Sequence, residues 1–152
     1  MTNMRIEGAD QLGDLAKRLK QAGDKELRKE LLRGIQKAGK PLKAAAKEAA
    51  LDGLPSSGGL NAYVAAGQFA VRTRSGGRNP GIRLVGKKKG HDIRATDKGR
   101  LRHPVWGHDW WVTQDIKPGW WTDTMTSDHV LAPVRRDVLD AMQAVAAKIA
   151  RG

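Results

Sequence analysis

Between positions 27 and 49 apolar residues return every three or four places: Leu27, Leu31, Ile35, Ala38, Leu42, Ala45 and Ala49. That step puts all of them on one face of an α-helix. Lys25, Arg28, Lys29, Arg33, Lys37, Lys40, Lys43 and Lys47 occupy the remaining surface. Such a stripe commits the chain to an architecture in which a long helix lies against another layer. Pro41 stands inside the pattern, after Gly34 and Gly39. Proline lacks the amide donor and crowds the preceding turn, so the long helix should kink near Pro41 or split near Gly39.

The remaining elements follow from the same kind of reading. Asp10 and Asp24 are helix caps, and Leu12, Leu15, Ala16 and Leu19 give the first helix its apolar face. Arg5-Ile6-Glu7 reads as a short strand. Residues 60–66 form a short helical turn. Gln68 to Arg74 alternates, with Phe69, Val71 and Thr73 on one face, and Ile82 to Val85 pairs with it as a hairpin. Residues 91–107 read as irregular, with a short strand or turn. Residues 110–116 form a further strand, Lys117-Pro118-Gly119 a tight turn, and 120–126 a link or single helical turn. Val134, Val138, Met142, Val145 and Ile149 stripe a C-terminal helix that begins around Ser127 or Asp128, either of which can cap it, and whose regular part should begin near Ala132 because of Pro133. The expected class is α+β: a small antiparallel sheet packed against a long N-terminal helix and a C-terminal helix. One domain accounts for residues 1–152, with mobile basic loops near 75–80 and 86–91.

Two compositional asymmetries bear on function. The chain has seven aromatic residues, and five are tryptophans inside sixteen consecutive positions: Trp106, Trp110, Trp111, Trp120 and Trp121. In an extended stretch Trp110 and Trp111 point to opposite faces, so one core can take only one of them. The other needs a second surface, and tryptophan is enriched where proteins meet. Charge is also segregated. Of a net +12, residues 72–102 contribute +9, through Arg72, Arg74, Arg78, Arg83, Lys87, Lys88, Lys89, Arg94, Lys98, Arg100 and Arg102 against Asp92 and Asp97. A segment of that kind attracts a polyanion: nucleic acid, an acidic protein surface or an anionic membrane.

Most catalytic chemistries have no motif here. Without cysteine there is no disulfide, thiolate zinc site or cysteine nucleophile. No GxxxxGK[ST] loop and no GxGxxG after a strand offers a phosphate cradle. The histidines His91, His103, His108 and His129 lack zinc-site spacing. His103, His108, Asp109 and Arg102 leave a small basic nuclease as a remote reading. The helix pair joined at Ala22-Gly23 lacks a groove-reading face, which argues against a helix-turn-helix. No apolar run reaches the length of a membrane helix and the N-terminus lacks a signal-peptide core, so a soluble protein in a reducing compartment is expected.

Gly99-Arg100-Leu101-Arg102-His103-Pro104-Val105-Trp106-Gly107 is followed by the aromatic strand Trp110-Trp111-Val112-Thr113-Gln114 and the turn Pro118-Gly119-Trp120. This combination resembles the HK97 gp10-like proteins of tailed phages, as do the opening Arg5 to Leu12 and the closing amphipathic helix. The resemblance implies a non-catalytic structural subunit of the virion neck or tail, without cofactor, assembled in the host cytoplasm into a ring. Sixfold symmetry is the expectation. The implied partners are its own copies, adjacent neck, tail-terminator or tail-tube proteins, and DNA passing the channel through non-specific contact. An interface is then expected at Arg100, Arg102, His103, Pro104, Trp106, Trp110, Trp111, Gln114, Pro118, Gly119, Trp120 and Trp121, beside the basic patch of Arg72, Arg74, Arg78, Arg83, Lys87, Lys88 and Lys89. Non-specific nucleic-acid binding is the alternative function.

Overall fold

A computed structural model describes residues 9–74 and 81–151. The expected strand at Arg5-Ile6-Glu7 and the loop at 75–80, including Arg78, lie outside the described residues. The class is α+β. Helices α1 (Ala9–Gln21), α2 (Lys25–Ala38) and α3 (Pro41–Gly53) come first, followed by the short α4 (Leu60–Ala65) and strands β1 (Gln68–Arg74) and β2 (Gly81–Lys87). A one-turn helix α5 (Ile93–Asp97), strands β3 (Arg100–Pro104) and β4 (Trp111–Asp115), a short α6 (Thr122–Met125) and the long α7 (Asp128–Ala150) complete the chain.

The apolar stripe is divided between two helices. The side chain of Asp24 caps α2, its Oδ1 accepting from the Leu27 amide at 3.0 Å. The helix stops at Gly39, and Pro41 starts α3 at its first position, where the missing amide costs nothing. Gly39 is needed at this junction. A Cβ there would come within 2.6 Å of Val71 on β1 and 3.2 Å of Ile82 on β2, so the break lies where the hairpin packs tightly on the helices. Gly34 serves a second close approach, since a Cβ on it would lie 2.8 Å from the Ala141 Cβ of α7.

The core lies between α2–α3, α7, α1 and the inner face of the β1–β2 hairpin. Leu31, Ile35, Leu42, Ala46, Val64, Phe69, Val71, Ile82, Leu84, Leu131, Val134, Val138 and Val145 all belong to it. β1 and β2 pair antiparallel, with Val71 opposite Leu84 and Arg72 opposite Arg83. Phe69, Val71, Ile82 and Leu84 are buried on the inner face, and Gln68, Arg72, Arg74, Arg83 and Lys87 are exposed on the outer one, as the alternation requires.

Three details depart from the expected arrangement. The strands form two separate two-stranded sheets, and only β1–β2 is covered by the long helices. Helix α7 starts at Asp128, at its expected beginning, but it is regular from there rather than from near Ala132, and it carries Pro133 in its interior. His129 and Pro133 both face solvent, where water can serve the carbonyl that proline leaves without an amide partner. Ile149 lies beyond the core at 45% exposure, and Leu131 joins the buried stripe at the other end.

Candidate interaction surface: a basic cleft and an exposed hairpin

The site begins with a structural latch at Asp97. Its side-chain Oδ1 accepts from the amides of Trp121 and Thr122, both at 2.9 Å, and its Oδ2 accepts from the Thr122 hydroxyl. Its backbone carbonyl accepts from the Gly119 amide at 2.7 Å. Gly99 and Ile116 are joined next to it, the Ile116 amide donating to the Gly99 carbonyl at 2.9 Å. Everything between is therefore one excursion, closed at its neck by a carboxylate that also satisfies the open amides leading into α6.

Below the neck lie two buried indoles. Trp120 and Trp121 are 4% and 3% exposed. Trp121 stacks on Phe69 of β1, with centroids 5.8 Å apart, and meets Trp120 edge-on at 5.7 Å. The Trp120 Nε1 donates to the Thr96 hydroxyl at 3.2 Å, so the polar end of the ring is also satisfied. These two tryptophans are core residues within one subunit. Their expected place on an interface is corrected accordingly, since Trp120 lies against Gly53 of α3 and Thr96 of α5, and Trp121 against Phe69 of β1. Pro118 and Gly119, the turn above them, line a shallow depression of about 370 Å³ beside α3.

Above the neck stands the β3–β4 hairpin. Arg102 pairs with Thr113, His103 with Val112 and Pro104 with Trp111. Neither strand has a buried residue. Trp106 at the tip is 98% exposed, Trp110 57% and Trp111 55%. The expectation that a core would take one of the adjacent Trp110 and Trp111 rings is therefore corrected: both are outside. Trp110 is instead stacked on His108 at 4.1 Å, and the Arg102 guanidinium lies over the Trp111 ring at 5.6 Å. His103 is half-buried, its Nδ1 3.0 Å from the Pro104 carbonyl oxygen, and Gln114 is exposed.

A cleft of about 1090 Å³ runs between this hairpin, β2 and α5. Arg83, Lys87 and Lys88 line it from the β2 side, Arg94 from α5, and Arg100 and Arg102 from β3. Trp111 stands in the hairpin wall. Among the described residues, Lys87, Lys88, Arg94, Arg100 and Arg102 form no ion pair. The cleft's carboxylates, Asp92 and Asp97, both accept hydrogen bonds at helix beginnings: Asp92 Oδ1 takes the Ala95 amide at 3.0 Å. His91 is also in the lining, and burial pushes its pKa below the ordinary histidine value, with Asp92 partly opposing.

The structure distributes the expected basic patch unevenly. Arg83, Lys87 and Lys88 reach the cleft, whereas Arg72 and Arg74 lie on the exposed outer face of β1. Gly86 and Lys87 end β2, and the chain turns back through Lys88 to His91. Tyr63 holds that turn, donating its hydroxyl to the Lys89 carbonyl at 2.6 Å while Lys88 Nζ lies 4.2 Å over its ring. Sequence reasoning missed Tyr63, Thr96 and Asp97, and the only local signal was the capping pattern of Asp92 and Asp97 around a short helical segment. No family model, curated protein or solved structure matches this chain. Among the described residues no three histidine, aspartate or glutamate side chains gather as metal ligands, and no helix is long and apolar enough to cross a membrane.

Proposed function

We propose that this chain is a structural assembly subunit that docks through the β3–β4 hairpin, and that its assembly is the head-to-tail connection of a tailed phage. The observation that carries the assembly reading is the hairpin itself, which exposes Trp106, Trp110 and Trp111 while its neck is tied down by Asp97. An isolated two-stranded hairpin is marginal in water. Three large indoles outside the core have their area available for a partner, where such rings act as anchors. The phage assignment rests on the resemblance of residues 99–107 and 118–120 to HK97 gp10-like proteins.

In this reading the partners are further copies in a ring, sixfold by that resemblance, and the adjoining neck, tail-terminator or tail-tube proteins of the virion. A ring joins two different patches of each subunit. The hairpin is one of them, and it acts by contact rather than by catalysis. Sedimentation and negative-stain electron microscopy of the purified protein, alone and with the products of neighbouring genes, test this. Closed rings that are lost in a Trp106→Ala/Trp110→Ala variant of unchanged circular dichroism support it. Rings that form equally well in the variant contradict it, as does a wild-type chain that stays monomeric in every mixture.

A further inference from the structure

We infer that the cleft between β2, α5 and the β3–β4 hairpin binds single-stranded nucleic acid, with phosphates on its arginines and lysines and a base on Trp111. The assembly reading draws on the same exposed hairpin, but its test removes the tip indoles Trp106 and Trp110, whereas this inference turns on Trp111 and the arginines of the cleft-facing side, so the two can fail separately.

Three observations converge. First, six cationic side chains from three elements line one cleft, and its two carboxylates are held by backbone amides. Asp115 sits opposite Arg100 in the strand register but closes no ion pair with it. Bringing so many like charges together costs energy in the free protein, and a polyanion relieves it while releasing its own counterions. Second, all of these cations except Lys88 are carried on regular elements, Arg83 and Lys87 on β2, Arg94 on α5, and Arg100 and Arg102 on β3. Arg100 and Arg102 alternate along β3 on the same face as Trp111, so charge and aromatic ring point the same way. Third, an aromatic platform beside a basic track is the combination that holds single strands, because every base has a face to stack. An acidic peptide would neutralise the arginines but has no matching use for the indole.

The aromatic platform separates single strand from duplex: a duplex keeps its bases stacked on one another, whereas an unpaired base is free to lay its face on Trp111.

The test is a fluorescence-anisotropy titration of the full chain with a labelled 15-nucleotide oligothymidine, a duplex of the same length, and polyglutamate as competitor. Expected are preference for the single strand, and a log–log salt slope of about −3 if about four phosphates are neutralised. Trp111→Ala should weaken binding by about fivefold or more. Arg100→Glu/Arg102→Glu should abolish it, while Lys20→Glu on the exposed side of α1 should leave it unchanged. Circular dichroism of each variant confirms folding; both Trp111 and Arg102 are exposed, so the fold does not depend on them. Equal affinity for duplex, displacement by polyglutamate at equal charge, or indifference to Trp111→Ala would each overturn the inference.

Discussion

The molecule contains two β-hairpins in opposite circumstances. In β1–β2, Phe69, Val71, Ile82 and Leu84 go into the core, and the strands run seven residues each. In β3–β4 the strands run five residues each and bury nothing. The first is held by the hydrophobic face it shares with α2 and α3. The second is held mainly at its base, by Asp97 and the Gly99–Ile116 bond. The contrast shows that identical local structure can be either part of the core or a surface presented from it. The deciding feature is where apolar side chains find cover.

The largest expected effect tests the boundary between these regions at the tryptophans. Trp121→Ala should cost about 3–5 kcal/mol of stability, the usual loss for a buried large aromatic. Trp106→Ala should stay within about 0.5 kcal/mol, as for an ordinary surface change. Urea denaturation of the two variants decides it, and similar losses would erase the distinction. Asp97→Ala comes next, at about 1–3 kcal/mol, because it leaves amides of the α6 entrance without their acceptor. Amide exchange in residues 99–119 should accelerate more than in α2 or α7 in this variant. Equal acceleration throughout would mean that the latch serves the whole fold rather than the hairpin.

The smallest effect concerns pH. His91 is depressed by burial, so the folded state holds its proton less tightly than the unfolded chain. Its contribution to stability is therefore present above the unfolded value near 6.5 and is lost as pH falls toward and through the lower folded value. Urea midpoints measured from pH 7.5 to 5 should decline less steeply in His91→Gln than in the wild type. Parallel declines would remove His91 from the account.

Much of the body was legible because its signals are local. Helical spacing exposed α1, α2, α3 and α7, the cap at Asp24 was readable, and Pro41 marked the division that Gly39 completes. The β1–β2 pair was visible through alternation. The second hairpin was harder. Arg100, Leu101, Arg102 and His103 carry little β signal, and β3 is paired with β4 above a tie between residues 97 and 122, which are far apart in sequence. The same long-range tie explains the misplaced tryptophans: Trp120 and Trp121 follow a Pro-Gly turn like surface residues, yet the turn delivers them to Phe69. Pro133 was over-weighted, because its cost in a helix is mostly a lost amide bond and an exposed site softens that loss.

The central claim is that the β3–β4 hairpin is surface held ready for a partner rather than part of the subunit's own core. Amide hydrogen exchange on the dilute, unassembled chain tests it most directly. The account predicts that the amides of residues 100–115 exchange close to the rate of local opening and far faster than those of β1 and β2, and that protection rises there when the subunit assembles. Protection of 100–115 equal to that of β1 and β2 in the lone subunit would contradict it.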